Sequence, residues 1–231
     1  MPNRRDDDDD RGLYSSPPCF MHEIDQTQAG IPPDATQARD VAHWRKAERE
    51  RLISARLALP ASDRKTQAQR VARDLDAIVP RVAGTIVSLY WPFRGEVDLR
   101  PWMDKAHAAG LRIALPIVVA KGQPLVFREW TPNVRLERGI WNILQPADSA
   151  QVVPNVVIAP LVGFDPDCYR LGYGGGFFDR TLAASSPRPL VIGVGHEIGA
   201  ISTIYPQPHD IPMNWIVTGT QAPKQAQRAP A

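Results

Sequence analysis

The chain predicts an α/β fold: an open, mostly parallel sheet flanked by helices on both faces, in a single domain with a disordered N-terminal extension. Three observations carry this expectation. Short runs at 85–90, 156–161 and 190–194 are apolar almost throughout, as strands buried on both faces are. Segments with apolar residues at helical spacing alternate with those runs, the pattern of a sheet covered by helices. A length of 231 residues, 43% of them hydrophobic, suffices to bury a sizeable core.

Along the chain, residues 1–38 read as the extension. Asp6 to Asp10 is an unbroken acidic run, and Pro17, Pro18, Pro32 and Pro33 follow, so charge repulsion and proline both oppose packing. This stretch holds three Arg against eight Asp or Glu, hence −5, and leaves +7 of the net +2 for residues 39–231. The first helix is expected to begin near Asp34 or Thr36 and to stop before Pro60. Val41, Trp44, Leu52, Ala55 and Leu59 fall on one stripe of it. Arg45, Arg49 and Arg56 form a second stripe, read either as a solvated basic face or as cations reaching into a cleft.

A second helix over 62–79 carries Ala68, Val71, Leu75 and Ile78, with Ser62 as its expected cap. The strand at 85–90 is ended by Pro92. Asp98 is placed to cap a helix bearing Leu99, Trp102, Met103 and Ala106, closed by Gly110. Strands are expected at 112–119, 124–130, 156–161, 190–194 and 215–218, the second of these able to pair antiparallel with its neighbour. A helix fits 177–184. The domain is bounded at 39–222, and 223–231 reads as a disordered tail.

Composition narrows the function. No apolar run approaches the ~20 residues that span a membrane, and the N-terminus lacks the apolar core of a secretion signal. Cys19 and Cys168 form neither a disulfide framework nor a metal spacing. A cytoplasmic location is the expectation. The mildly basic body suits an anionic substrate, and without interleaved basic and aromatic residues nucleic acid is not expected.

Chemistry concentrates in Arg170-Leu-Gly-Tyr-Gly-Gly-Gly-Phe-Phe-Asp179. Four of sixteen glycines lie between Gly172 and Gly176, after a buried strand and before a helix start. Such a loop presents bare backbone N–H groups at a helix terminus of partial positive charge. Arg170 adds a forked donor and Asp179 a hard oxygen ligand for magnesium. The alternative is a surface turn whose glycines merely supply positive φ. A second loop, Tyr90-Trp-Pro-Phe-Arg-Gly-Glu96, also leaves a strand end, and Glu96 either projects into a cleft or caps the next helix.

Together these pieces resemble the 5-formyltetrahydrofolate cyclo-ligase family, also called methenyltetrahydrofolate synthetase, from about Trp44 to Thr218. The similarity rests on Arg45-Lys-Ala-Glu-Arg49, the loop ending in Glu96, Gly139-Ile-Trp-Asn-Ile-Leu-Gln-Pro146, Pro160-Leu-Val-Gly-Phe-Asp165 with the glycine segment, and His209-Asp210 before Trp215-Ile-Val-Thr218. The resemblance implies ATP- and magnesium-dependent conversion of 5-formyltetrahydrofolate to 5,10-methenyltetrahydrofolate, with ADP and phosphate released. It implies that Arg45, Lys46, Arg49, Arg170, Leu171, Gly172, Tyr173, Gly174, Gly175, Gly176, Phe177 and Phe178 hold ATP. Trp91, Glu96 and Tyr173 would contact the folate, Arg170 and Tyr173 would act in catalysis, and Asp179 and Asp210 would hold Mg2+. Asp165 is a second acidic candidate, readable also as a turn device. A monomer acting on folate and ATP is expected. The chain departs from the family pattern at Arg45, Glu48, Tyr173, Gly175, Gly199 and Asn214, which implies as the alternative a paralogue of altered substrate or little turnover.

Overall fold

The structure is a computed structural model that describes residues 35–226. Residues 1–34 of the expected extension and 227–231 of the expected tail lie outside the described residues. The chain divides into two compact units between Glu48 and Arg49, within its first helix. Of the first unit the described residues are helix alone, and the second carries the sheet.

Helix α1 spans Ala35–Ala58 and α2 spans Ala61–Ile78. Pro60 divides them, taking the N-cap place of α2 with φ −56° and ψ 145°. Proline disfavours helix in the residue before it yet is preset to begin one. The expected Ser62 cap is therefore displaced: Ser62 lies inside α2, its hydroxyl donates to Asp63 Oδ1 at 3.1 Å, and no side chain caps the helix.

The strands follow as β1 (Ile86–Ser88), β2 (Arg112–Ile117) and β3 (Val126–Trp130), with α3 (Arg100–Ala108) between β1 and β2. Then come β4 (Leu136–Arg138), β5 (Leu144–Pro146), β6 (Gln151–Val152), β7 (Val156–Pro160), β8 (Gly163–Phe164) and β9 (Arg170–Leu171). Helix α4 (Phe177–Ala184), β10 (Leu190–Val194), β11 (Trp215–Val217) and β12 (Lys224–Gln225) complete the order. The N-cap of α3 is Leu99 rather than the expected Asp98, and no side chain caps the helix; from one residue earlier Asp98 Oδ1 accepts the Arg100 N–H at 3.1 Å, and Gly110 follows α3 at φ +91°.

The main sheet runs β12-β11-β10-β7-β1-β2-β3-β6. Its centre, from β11 across to β2, is parallel, while β3, β6 and β12 pair antiparallel at the edges. Alternation along the strands supplies two apolar faces. Val87, Ile113, Ile158 and Ile192 pack with Leu75 of α2 and Met103 of α3 in one cluster. Ala159 and Val191 pack with Leu182 of α4 in another, and Ala114 and Val157 meet Phe177 and Phe178 in a third. Helices thus cover both faces. Leu52 and Ile53 of α1 pack with Val162 and Leu171 around the β8–β9 hairpin.

Two features place the site. From β1 the chain moves to β2 on one side, then returns to lay β7 on the other. This reversal is a switch point, where open α/β sheets form a crevice beyond the carboxyl ends of their strands. The 90–96 loop leaves β1 there, and the β8–β9 hairpin, which leads into the glycine loop, leaves β7. The sheet also continues past the expected boundary at 222, because Lys224 pairs with Ile216. A two-residue edge strand exists by that pairing and has no apolar run of its own to announce it.

Candidate active site

The glycine loop is shaped by two guanidinium groups. Arg49 Nε donates to the Gly172 carbonyl at 2.6 Å, and Arg180 Nη2 donates to the Gly175 carbonyl. Gly174 takes φ +92° and Gly176, the N-cap of α4, takes φ +62°. With those carbonyls engaged, no backbone N–H from Tyr173 to Asp179 has an acceptor among the described residues. The first N–H groups of any helix lack intrahelical partners, so the loop and α4 join into one run of open donors. Such a run of open donors has the chemistry that an anion cradle needs. The alternative of an idle surface turn does not account for side chains from α1 and α4 converging on its carbonyls.

Arg170 closes the cradle from below. It is 9% exposed, its Nη2 donates to Asp179 Oδ2 at 2.8 Å, and its Cζ lies 5.1 Å from the centre of the Phe178 ring. Its Nε is buried without a hydrogen-bond partner. Gly172 sits against this guanidinium so closely that a Cβ there would collide with Arg170 Nη1. Gly172→Ala is accordingly expected to displace Arg170 and weaken anion binding about tenfold or more while the fold persists. Isothermal titration with a non-hydrolysable nucleoside triphosphate and a thermal melt check both halves.

Asp179 lies against the segment that carries Asp210: its Oδ1 accepts the N–H of Ile211, next in chain, at 3.3 Å. Asp210 Oδ2 accepts the Gln207 N–H at 2.7 Å. Among the described residues no group of three or more His, Cys, Asp or Glu gathers to hold a metal. Two carboxylates fit magnesium all the same, which keeps several waters and takes the rest of its ligands from phosphates. Each Asp179 oxygen has one protein donor and keeps a second lone pair for such a water.

The second half of the site is a tight turn. Arg94 at φ +47° and Gly95 at φ +77° are consecutive left-handed residues, and the Glu96 N–H donates to the Phe93 carbonyl at 3.1 Å. The Phe93 N–H in turn donates to Glu96 Oε2 at 2.8 Å. Glu96 is 8% exposed. Burial raises its pKa to about 7, opposed by the Phe93 N–H, the Arg56 charge and a hydrogen bond with Tyr173. Glu96 therefore does not cap α3, whose N-cap is Leu99 with no side-chain cap bond. Arg56 Nη2 donates to the Tyr173 hydroxyl at 2.6 Å, and the Phe93 and Tyr173 ring centres stand 6.1 Å apart. Burial, then the Glu96 charge, push the Tyr173 phenol well above its ordinary pKa.

His196 supports the turn from the far side. Its Nε2 contacts the Gly95 carbonyl at 2.9 Å and its Nδ1 contacts Gln67 Oε1. Burial holds this imidazole below its usual pKa.

The expected residues divide accordingly. Arg49, Arg170, Gly172 to Phe178, Glu96 and Tyr173 are brought together, with Asp179 and Asp210 beside them. Arg45 lies one turn before Arg49 on α1, and Lys46 is exposed a further 100° around that helix. Trp91 stands apart from this grouping. Its side chain packs on the α2–α3 face of the core, in a cleft lined by Asp98, Pro101, Asp104 and Trp130, with Arg100 Cζ 5.5 Å over its ring. The left-handed turn swings Phe93, not Trp91, toward Tyr173. Asp165 proves a turn device, its carboxylate accepting the N–H groups of Asp167, Tyr169 and Ile204.

Sequence reasoning gave no site role to Phe93 or Trp141, and left Arg56 on a stripe read as solvated or cleft-facing. Arg56 shares its stripe with Arg49, which was the available signal. Trp141 is exposed, takes φ +56°, and stands edge-on to Phe177 at 5.7 Å. Only the hairpin of β4 and β5 brings it there.

Fold and site together define an α/β protein with a donor-rich glycine loop at a switch point, near a buried carboxylate. The 5-formyltetrahydrofolate cyclo-ligase family matches residues 41–219, and the chain belongs to that family, an enzyme of the ligase class. It is similar to 5-formyltetrahydrofolate cyclo-ligase of Escherichia coli K12, 31% identical over 171 residues, covering 71% of this chain and 93% of that one. Similarity to the Mycolicibacterium smegmatis 5-formyltetrahydrofolate cyclo-ligase is 28% over 178 residues, covering 74% and 91%. Among solved structures, the Aquifex aeolicus 5,10-methenyltetrahydrofolate synthetase superposes with a TM-score of 0.70 at 25% identity, over 81% of this chain and 95% of that one. No helix of the described residues is long and apolar enough to cross a membrane.

Proposed function

We propose that the protein converts 5-formyltetrahydrofolate to 5,10-methenyltetrahydrofolate with ATP, releasing ADP and phosphate. The observation that carries this reading is the run of unengaged N–H groups flanked by Arg49 and Arg170, set across from the Glu96–Tyr173 pair. A triphosphate and a neutral heterocycle rich in N–H groups need those two surfaces side by side.

An N-formyl group resists attack because its nitrogen donates into the carbonyl. Its oxygen attacks the γ-phosphorus, ADP leaves, and the formyl carbon becomes an activated iminium phosphate. N10 adds to that carbon and loses its proton, and the C–O bond then breaks to release phosphate. Such a reaction needs positioning and charge neutralisation rather than a nucleophilic side chain. Arg170, Arg49 and the cradle N–H groups hold and neutralise the phosphates. Arg45 and Lys46 extend the same cationic helix. Glu96 accepts the donors of the pterin ring or N10, and Tyr173 lies beside the formyl group. Asp179 and Asp210 would hold magnesium, directly or through water, and it would neutralise phosphate charge there. Cytoplasmic location and a monomeric state complete the reading.

The test is absorbance of the methenyl product with ATP and 5-formyltetrahydrofolate, with and without magnesium. Product is expected only when all three are present. Phosphate release from ATP that does not depend on the folate would overturn the reading.

A further inference from the structure

Arg56 stands near the C-terminal end of α1 and is 3% exposed, a rare depth for a guanidinium. Its Nε donates to the Arg94 carbonyl at 3.0 Å and its Nη2 to the Tyr173 hydroxyl at 2.6 Å. Its Cζ lies 5.8 Å from the centre of the Tyr173 ring. Nη1 is buried and has no hydrogen-bond partner. One planar fork therefore grips the strand-end turn and the glycine loop at once, from a third element.

What it grips is demanding. Arg94 is a non-glycine residue at φ +47°, a conformation that persists only where surroundings enforce it. Arg56 takes the carbonyl of that residue, and His196 takes the carbonyl of the next. At Tyr173 the geometry has a second consequence. Arginine carries donors only, so it occupies a lone pair of the phenol oxygen and leaves the phenolic proton to be given elsewhere. The nearby Glu96 carboxylate, whose charge already acts on this phenol, is the acceptor that such a proton would find.

We propose that Arg56 is a positioning residue for the folate half of the site: it locks the Arg94–Gly95 turn that presents Glu96, and it aims the Tyr173 hydroxyl at the Glu96 carboxylate. The folate clause rests on the function proposed above. Lysine keeps the charge but lacks the planar fork that reaches two acceptors together. The groups facing Glu96 are Arg56 from α1, Tyr173 from the glycine loop and the buried Tyr90 from the end of β1. His196 adjoins through Gly95, with Arg64 of α2 beyond it. Of these neighbours Arg56 is the one whose positive charge acts on Glu96.

The experiment has two arms. In the ligand-free protein, the Glu96 carboxyl is titrated by carbon NMR, assigned through Glu96→Gln. Its midpoint is expected to rise by about one unit in Arg56→Met and to stay near wild type in Arg56→Lys. In turnover, both variants are expected to raise KM for the formyl folate about tenfold while KM for ATP stays within twofold, and only Arg56→Met moves the acid limb of kcat/KM upward. Should Arg56→Met fail to fold, Tyr173→Phe breaks the same link without disturbing α1 and is expected to raise the Glu96 midpoint likewise. An unmoved Glu96 midpoint, or a loss shared equally by both substrates, would show that Arg56 only fastens α1 and would overturn the proposal. If the wild type does not turn over the formyl folate, the functional reading fails by itself, and the NMR arm still decides the hold of Arg56 on Glu96.

Discussion

Arg170→Ala is expected to lower kcat/KM for ATP by about 10³-fold, the scale on which one preorganised donor to developing charge acts. It is also expected to destabilise the fold by roughly 3–5 kcal/mol, because Asp179 is left buried without its partner. The two side chains are 6% and 13% exposed, so water cannot replace the missing charge cheaply. Phosphate release and a urea midpoint read the two effects separately. The double variant Arg170→Ala/Asp179→Ala is expected to regain part of the stability and none of the activity, since removing both members of a buried pair is far milder than removing one. Turnover within tenfold of wild type in Arg170→Ala would take this residue out of the chemistry. A single variant Asp179→Ala carries the same stability cost, so its lost turnover alone cannot be credited to a metal.

Glu96→Gln is expected to separate function from stability in the opposite sense. The carboxyl is raised from an ordinary 4.5 to about 7 chiefly by burial. A group whose folded pKa is raised contributes stability below its unfolded value and loses it as pH climbs through the folded value. Native Glu96 is therefore a growing liability from about pH 4.5 to 7, on the order of 3 kcal/mol once ionised. Glutamine, which never ionises and still accepts the Phe93 N–H through its oxygen, removes that pH dependence and melts higher at pH 8. The same variant is expected to raise KM for the folate by at least tenfold with KM for ATP almost unchanged. A melting temperature at pH 8 equal to or below wild type would contradict the assigned burial cost. A site that keeps a destabilising charge is one where the charge is used.

Legibility in the sequence follows from how local each signal is. The strands at β1, β2, β3, β7, β10 and β11 were found because each contains its own apolar run. Three of the four helices were found from apolar spacing, Pro60, Asp98 and Gly110, and α4 from its place after the glycine loop. The glycine cradle was legible because open N–H groups at a helix start follow from the residues themselves. The side on which Trp91 packs was not legible for the complementary reason. Which of Trp91 and Phe93 faces the cleft depends on the left-handed pair Arg94–Gly95, and Arg94 is not a residue whose identity demands φ +47°. The hairpins β4–β5 and β8–β9 escaped because strands of two or three residues take their stability from partners.

By itself, then, the sequence determined the layered α/β class, the order of its main elements and the presence of a donor-rich loop, because periodicity, capping and glycine content act over a few residues. Only the tertiary structure decided that Arg56 is a buried clamp rather than a solvated cation, that Arg170 meets Asp179, and that Glu96 is driven to a near-neutral pKa. Those are consequences of desolvation and of contacts between residues up to 117 positions apart, which no local pattern encodes.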